Sequence, residues 1–226
     1  MLTNMGHLLN EQGNYDNALF YLKKSVDIKE KMPGAKQEET AIAYNNIGFV
    51  YWQRGDYSSA LEYHQKALRI REKTLGTDHP STATSYDNIG KIYWKQGDYS
   101  SALEYHQKAL EIREKTLGAD HPYTAFSYNN IGVVYNKQGE YAKELEYYQK
   151  ALQIWEKTLG VDHPSTAITY HNIGTGYFQQ GNYREALQWL EKALAIRLKV
   201  LGAEHPRTKL TQEWIDRTKQ RLLSEE

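Results

Sequence analysis

Histidines recur beside acidic residues in this chain, and histidine with carboxylate is a combination that proteins use to bind metal ions. The four are His79, His121, His163 and His205. Each lies alone in its own loop, one repeat away from the next, whereas a structural zinc site needs about four converging ligands. The spacing therefore predicts no metal site, and we expect these histidines to cap helices and pack in the loops.

Asparagine recurs at the same 42-residue interval, as Asn4, Asn46, Asn88, Asn130 and Asn172. An amide offers both donors and an acceptor, so a row of amides can hold the backbone of an extended peptide whatever its sequence. The preceding residue varies, which would give specificity; these neighbours are Asn45, Asp87, Asn129 and His171. The alternative is that each asparagine bonds a neighbouring helix and serves only the stacking of the repeats.

Aromatic, lysine and amide residues vary from repeat to repeat on the helix face that carries these asparagines. Aromatic side chains are enriched at binding hot spots, and lysine ammonium groups can pair with an acidic ligand or its terminal carboxylate. The alternatives are that the aromatic rings pack on each other and that the lysines are simply solvated. The residues in question are Phe49, Trp52, Lys91, Trp94, Lys95, Phe126, Asn136, Lys137 and Phe178.

Catalytic signatures are missing from the sequence. It contains no phosphate-binding glycine loop, no dinucleotide fingerprint and no nucleophile elbow. Glu144 stands where the corresponding positions carry alanine, such as Ala102. A carboxylate there is unfavourable unless it reaches solvent or a partner. We interpret it as a tolerated misfit rather than a catalyst, and we expect neither an enzyme nor a bound cofactor.

The elements that carry these residues are helices. In the unit from Pro80 to His121, Tyr86, Ile89 and Tyr93 fall on one face of a helix, which we call helix A. Gly97 suits the left-handed end of that helix. Asp98 is then a candidate N-cap for the second helix of the unit, helix B. So short a connection requires the two helices to be antiparallel.

Gly90 lies within the helix A pattern, and its equivalents Gly48, Gly132 and Gly174 recur at the same interval. Glycine inside a helix costs ~1 kcal/mol relative to alanine. Its recurrence therefore predicts a close approach of helix B, for which Ala102 is the natural partner.

The repeating unit predicts eleven helices, no strands and one array over residues 1–226. The last segment carries a stripe formed by Leu210, Trp214, Thr218 and Leu222, which is typical of a capping helix. The first repeat has a different exit loop at Pro33. The predicted spans are 1–34, 38–76, 80–118, 122–160 and 164–202 for the repeats and 206–223 for the capping helix.

Composition limits the classes of partner. Lys plus Arg equals Asp plus Glu at 28 each, so there is no electrostatic footprint for nucleic acid or an anionic membrane. The chain has no cysteine, and no apolar run approaches the ~18 residues of a membrane span. We expect a cytoplasmic helical protein.

The pattern of Tyr86, Ile89-Gly90, Tyr93, Gly97-Asp98-Tyr99 and Ala102 resembles the tetratricopeptide repeat. The 42-residue length and the Leu-Gly-X-Asp-His-Pro loop are similar to the repeats of kinesin light chains and nephrocystin-3-like proteins. The resemblance implies an all-α, right-handed α-solenoid of antiparallel helix pairs, with helix A lining a concave groove.

Our hypothesis from the sequence is a non-enzymatic scaffold that binds a partner protein or peptide in that groove. Two alternatives remain open. One is the sensor or regulatory region of a larger signalling protein. The other is an engineered or purely structural array, because the segments Gly55–Gly76 and Gly97–Gly118 differ only at Arg69 and Glu111. End-to-end self-association is also conceivable.

Overall fold

Eleven α-helices make up most of the computed structural model, which describes residues 2–31 and 37–224. Within those ranges no strand occurs, which confirms the expected all-α class and helix number. No helix there is long and apolar enough to cross a membrane. The altered loop at Pro33 lies outside the described residues. The helices are α1 Leu2–Glu11, α2 Tyr15–Lys31, α3 Gln37–Arg54, α4 Tyr57–Leu75, α5 Pro80–Gln96, α6 Tyr99–Leu117, α7 Pro122–Gln138, α8 Tyr141–Thr158, α9 Pro164–Gln179, α10 Tyr183–Leu201 and α11 Pro206–Leu223.

The helices fall into two compact units, Met1–Thr116 and Leu117–Glu226. In the first unit α2 packs on α1 and α3, and α4 packs on α3 and α5, its neighbours in sequence. In the second unit α9 packs in the same way on α10. Contact between sequential helix pairs is the property that defines a solenoid. The spans of the individual repeats stay a prediction.

Histidine caps fix where the helix A segments begin. The His79 Nδ1 atom accepts a hydrogen bond of 3.1 Å from the backbone N–H of Ser81, at the start of α5. His121, His163 and His205 make the same bond at α7, α9 and α11. Each cap satisfies a backbone donor that has no partner within the helix. The capping role predicted for these histidines is confirmed.

The turn between helix A and helix B is set by two adjacent residues. Gly97 adopts the left-handed conformation, with φ 84° and ψ 3°, and its N–H bonds the carbonyl groups of Tyr93 and Trp94. Asp98 then accepts a hydrogen bond of 3.0 Å from the backbone N–H of Ser101, as predicted. Because the chain reverses within these two residues, α5 and α6 lie antiparallel.

The helical glycines make room for a residue other than the one predicted. A Cβ atom on Gly90 would lie 2.9 Å from the imidazole of His106, and one on Gly132 would lie 2.6 Å from the ring of Tyr148. The side chain that covers Gly90 is therefore His106 rather than Ala102, although the backbone carbonyls of the equivalent alanines Ala18 and Ala186 lie close to Gly6 and Gly174. Side chains lean toward the N-terminus of their helix, so the residue one turn beyond the alanine covers the glycine.

The last helix, α11, packs on α10. Its buried residues are Thr208, Thr211, Ile215 and Thr218. The stripe predicted from the sequence was wrong at Leu210, whose side chain is 44% exposed. Three threonines and Ile215 form the buried face instead, and the hydroxyl of Thr211 accepts a hydrogen bond from Arg197 on α10.

We expect the substitution Gly132→Ala to lower the free energy of unfolding by about 1–3 kcal/mol, because the added methyl group overlaps the buried ring of Tyr148. The loss should appear although alanine favours helix more than glycine does. Urea denaturation measures it. Ser100→Ala, on an exposed position of α6, is the control and should change stability by less than about 0.5 kcal/mol. Equal stability of the Gly132→Ala variant and wild type would contradict the packing role of this glycine.

Candidate functional site

A cavity of about 360 Å³ lies in the first unit between α3, α4 and α5. We call it the first-unit pocket. Five of its six lining residues belong to the set predicted from the sequence, and His64 does not. The lining residues are Asn45, Phe49, Trp52, His64, Asn88 and Lys91.

A hydrogen-bonded group forms one side of the first-unit pocket. The Nδ2 atom of Asn88 donates to Oδ1 of Asn45 over 2.7 Å, and Nδ1 of His64 lies 2.9 Å from the same oxygen. Because that oxygen is an acceptor, this arrangement places the proton of the neutral imidazole on Nδ1. Asn88 thus bonds the preceding repeat, which is a contact that the stacking alternative predicts and which leaves peptide binding by this asparagine a prediction.

His64 contributes an uncharged imidazole to the pocket. Its side chain is 4% exposed. Burial lowers the pKa of His64 to about 4, and the positive charges of Lys91 and Arg71 add to the effect. Near pH 7, therefore, Lys91 carries the positive charge of the pocket lining.

Two aromatic rings form the apolar side of the pocket. The rings of Phe49 and Trp52 stack one helical turn apart, with centroids 5.8 Å apart and an angle of 14° between their planes. Phe49 remains 42% exposed although it packs on Trp52. Lys91 is exposed on α5 and forms no ion pair with any residue that the structure describes. The pocket therefore combines an apolar surface, amide groups and an ammonium group that lacks a carboxylate partner.

Asp87, which the sequence predicts to contact a ligand, is instead buried between α5 and α6. It is 3% exposed, Nδ1 of His106 lies 2.8 Å from its Oδ1, and its Oδ2 pairs with Arg113. Asp87 follows Ala83 by four residues and precedes Gly90 by three, so the three share the face that packs on helix B. Asp87 is therefore buried and does not present its carboxylate to a ligand, as the prediction that it gives specificity requires.

The environment of Asp87 favours its charged form. Burial by itself raises the pKa of this carboxyl, but the hydrogen bond from His106 and the charge of Arg113 outweigh burial and lower it to about 2. A lowered folded-state pKa contributes stability that is present above the ordinary value of 3.8 and is lost as the pH falls toward 2.

The arginine that pairs with Asp87 has counterparts with other partners. In the first unit, Arg71 pairs with Glu38 at 3.0 Å. In the second unit, Arg197 bonds the hydroxyl of Thr211, and burial lowers the pKa of Arg197 to about 10. His171 is buried beside them, with its Nδ1 3.3 Å from the Thr211 hydroxyl. Like Asp87, His171 is buried rather than available to a ligand, because it occupies the same helix A position.

Other predicted residues of the second unit bond to each other. Asn172 donates to Asn129 over 3.3 Å, the same arrangement as in the first-unit pocket. The Nδ2 atom of Asn136 donates to Glu144 over 2.8 Å and to Gln179 over 2.6 Å. Asn172 thus also bonds the preceding repeat, and its contact with a ligand stays a prediction.

The remaining predicted residues lie outside the first-unit pocket. On α5, the ammonium group of Lys95 lies 5.0 Å from the ring centre of Trp94. Asn46 and Asn130 are half-buried on α3 and α7, and Lys137 is exposed at the end of α7. Their contact with a ligand stays a prediction.

Sequence reasoning missed His64 because the residue falls within the apolar pattern of helix B. Its equivalents His106, Tyr148 and Leu190 differ in polarity, and each lies against a helical glycine. A polar side chain at a position that must cover a glycine is the signal that could have identified it.

Comparison with known proteins identifies the repeat. The family model described as "Tetratricopeptide repeat" matches residues 1–73, 39–115, 101–154 and 128–199, which together span most of the chain. None of the curated proteins compared with the chain matches it.

Solved structures share the fold at low sequence identity. BtubC (BKLC) from P. vanneervenii is similar with a TM-score of 0.79 and 21% identity, over 91% of this chain and 81% of that one. The repeats of a putative kinesin light chain from Podosopora anserina are similar with a TM-score of 0.73 and 24% identity, over 88% of this chain and 95% of that one. A signal transduction ATPase with a tetratricopeptide repeat sensor from Pyrococcus horikoshii is similar with a TM-score of 0.78 and 22% identity, over 96% of this chain and 32% of that one. These similarities confirm the α-solenoid class and concern the fold alone.

We expect Asp87→Asn to lower the free energy of unfolding at pH 7 by about 3–5 kcal/mol, because the substitution removes the carboxylate that pairs with buried Arg113. The variant should also lack the part of the stability that wild type loses between about pH 4 and pH 2. Denaturant titrations from pH 2 to pH 7 measure both effects.

The matched control for that experiment is Asp78→Asn, which removes an exposed pair with Lys115 and should cost less than about 1 kcal/mol. Equal losses in the two variants would show that the Asp87 pair is energetically no different from a surface pair.

Proposed function

This chain belongs to the tetratricopeptide repeat family, and on that basis we propose that it is a non-enzymatic scaffold that binds an extended segment of a partner protein. The first-unit pocket is the site we assign to that segment. Repeats of this family generally serve protein interaction. The cytoplasmic location predicted from the sequence stays part of the proposal.

The observation that carries the proposal is the chemistry of the first-unit pocket. A peptide presents backbone N–H and C=O groups at regular intervals together with side chains of varied polarity. The amides of Asn45 and Asn88 suit the backbone groups of the peptide, and the stacked rings of Phe49 and Trp52 suit an apolar side chain. Lys91 suits an acidic side chain or a terminal carboxylate, because it is exposed and forms no salt bridge with a described residue.

The hydrogen bonds within the pocket decide which amide atoms can contact a peptide. Oδ1 of Asn45 already faces both Asn88 and His64. A peptide carbonyl would therefore accept from Nδ2 of Asn45, and a peptide N–H would donate to Oδ1 of Asn88. The stacking bond and peptide binding are thus compatible, since they use different atoms of the same two amides.

The experiment starts from a random peptide library selected against the whole chain, and the best peptide is then measured by fluorescence anisotropy. We expect Lys91→Glu and Phe49→Ala each to weaken binding at least about tenfold, because each removes an interaction worth more than about 1.4 kcal/mol at a hot spot. Replacing the acidic residues of the selected peptide by their amides should weaken its binding to wild type and strengthen its binding to the Lys91→Glu variant, because the amides remove a repulsion between like charges.

Lys108→Glu is the matched control, because Lys108 is an exposed lysine of α6 that pairs with Glu104 rather than lining the pocket. This variant should bind like wild type. Unchanged affinity in the Lys91→Glu and Phe49→Ala variants would refute the assignment of the pocket. The melting temperature of each variant separates lost binding from lost folding.

The recurring asparagines of helix A, which we call the asparagine ladder, are tested by Asn88→Ala. If the ladder serves only stacking, the substitution lowers stability by about 1 kcal/mol and leaves the affinity unchanged. If it also holds the peptide, the affinity falls as well, which is the result we expect. The sensor role and end-to-end association remain predictions from the sequence.

A further inference from the structure

Glu144, the misfit of the sequence, is fully buried in the first turn of α8, with an exposed fraction of 0%. Its Oε1 accepts the hydrogen bond from Asn136. Its Oε2 is buried and has no hydrogen-bond partner among the described residues. A buried carboxyl oxygen without a donor is costly when it carries charge.

Gly176 on α9 provides the space that Glu144 occupies. A Cβ atom on Gly176 would lie 3.2 Å from Oε1 and 3.3 Å from the carboxyl carbon of Glu144. The equivalent helix A positions hold larger residues, as Ile92 and Val134 show, whereas the equivalents of Glu144 are alanine. The fifth repeat has lost volume at the point where the fourth has gained it.

Asn136 connects this pair to both neighbouring helices. Its Nδ2 donates to Glu144 on α8 and also to Oε1 of Gln179 on α9. The carboxyl group of Glu144 therefore lies where α7, α8 and α9 meet, at the junction of the fourth and fifth repeats, within the second unit.

No positive charge that the structure describes pairs with Glu144. From α7 and α9 the facing groups are Asn136, Gly176 and Gln179, none of which titrates. On α8 itself the ionisable neighbour is Tyr148, whose pKa is raised by burial and by Glu144. The next charges along that helix turn, Glu140 and Lys143, pair with each other at 3.5 Å on the surface.

We propose that Glu144 and Gly176 form a proton-sensitive contact that holds the fourth and fifth repeats together. The protonated carboxyl group fits the space beside Gly176, and loss of its proton loosens α9 from α8. The device belongs to the second unit and does not depend on whether the first-unit pocket binds a peptide.

Burial raises the pKa of Glu144 to about 7, and the hydrogen bond from Asn136 offsets only part of this effect. The folded-state pKa is thus above the ordinary value of 4.5. The contact therefore contributes its full stability below about pH 4.5, and this contribution is lost as the pH rises through about 7.

The variant Glu144→Gln tests the proposal, because glutamine keeps the shape and cannot ionise. Relative to this variant, the unfolding equilibrium constant of wild type should rise roughly 10- to 100-fold between pH 5 and pH 8. Urea denaturation at the two pH values gives both constants. Glu185→Gln, at an exposed first-turn position of α10, is the matched control and should behave like wild type. The same pH response in wild type and the Glu144→Gln variant would overturn the proposal.

A double substitution provides a second test that does not rely on glutamine. Glu144→Ala with Gly176→Val gives the combination of small and large residues found elsewhere in the chain. It should fold and lose the extra pH dependence, whereas Glu144→Ala alone leaves a cavity. Hydrogen-exchange protection factors at the C-terminal end of α9 should fall from pH 5 to pH 8 in wild type and stay constant in the double variant. Constant protection in wild type would also overturn the proposal.

Discussion

Helix A can approach helix B closely because helix A carries a glycine where a side chain of helix B crosses it. At Gly48, Gly90 and Gly132 the space that a Cβ atom would need is filled by His64, His106 and Tyr148. No other residue type leaves that space. The close packing that it allows outweighs the ~1 kcal/mol that glycine costs within a helix. The spacing of the two helices then decides which other side chains of helix A are buried and which reach the surface.

The residue that covers the glycine sets the polarity of its surroundings. Where it is histidine, its imidazole needs a hydrogen-bond partner, and the residue three positions before the glycine supplies one: Asn45 for His64, and Asp87 for His106. The same Asn45 oxygen accepts a hydrogen bond from Asn88, so the amide that packs the second repeat also forms part of the first-unit pocket. Packing and the proposed binding site therefore share residues.

Two buried carboxyl groups show how surroundings decide charge. Asp87 accepts a hydrogen bond from His106 and pairs with Arg113, and its pKa falls to about 2 in spite of burial. Glu144 has one amide donor and no cation among the residues that the structure describes, and burial raises its pKa to about 7. Ionisation thus stabilises the first and destabilises the second, because only the first has charges that replace the water it has lost.

The sequence by itself determined the helices, their ends and the fold class, because these depend on residues within a few positions of each other. The cap formed by His79 and the turn at Gly97 are local in this sense, and the 42-residue period repeats each of these patterns several times along the chain. The tertiary structure decided which residue covers Gly90, that Asp87 is buried, and that Gly176 accommodates Glu144. Those outcomes depend on contacts between helices at a distance and an angle that periodicity does not specify. For the same reason the sequence identified most of the first-unit pocket but missed His64, the residue that reaches it from the opposite helix.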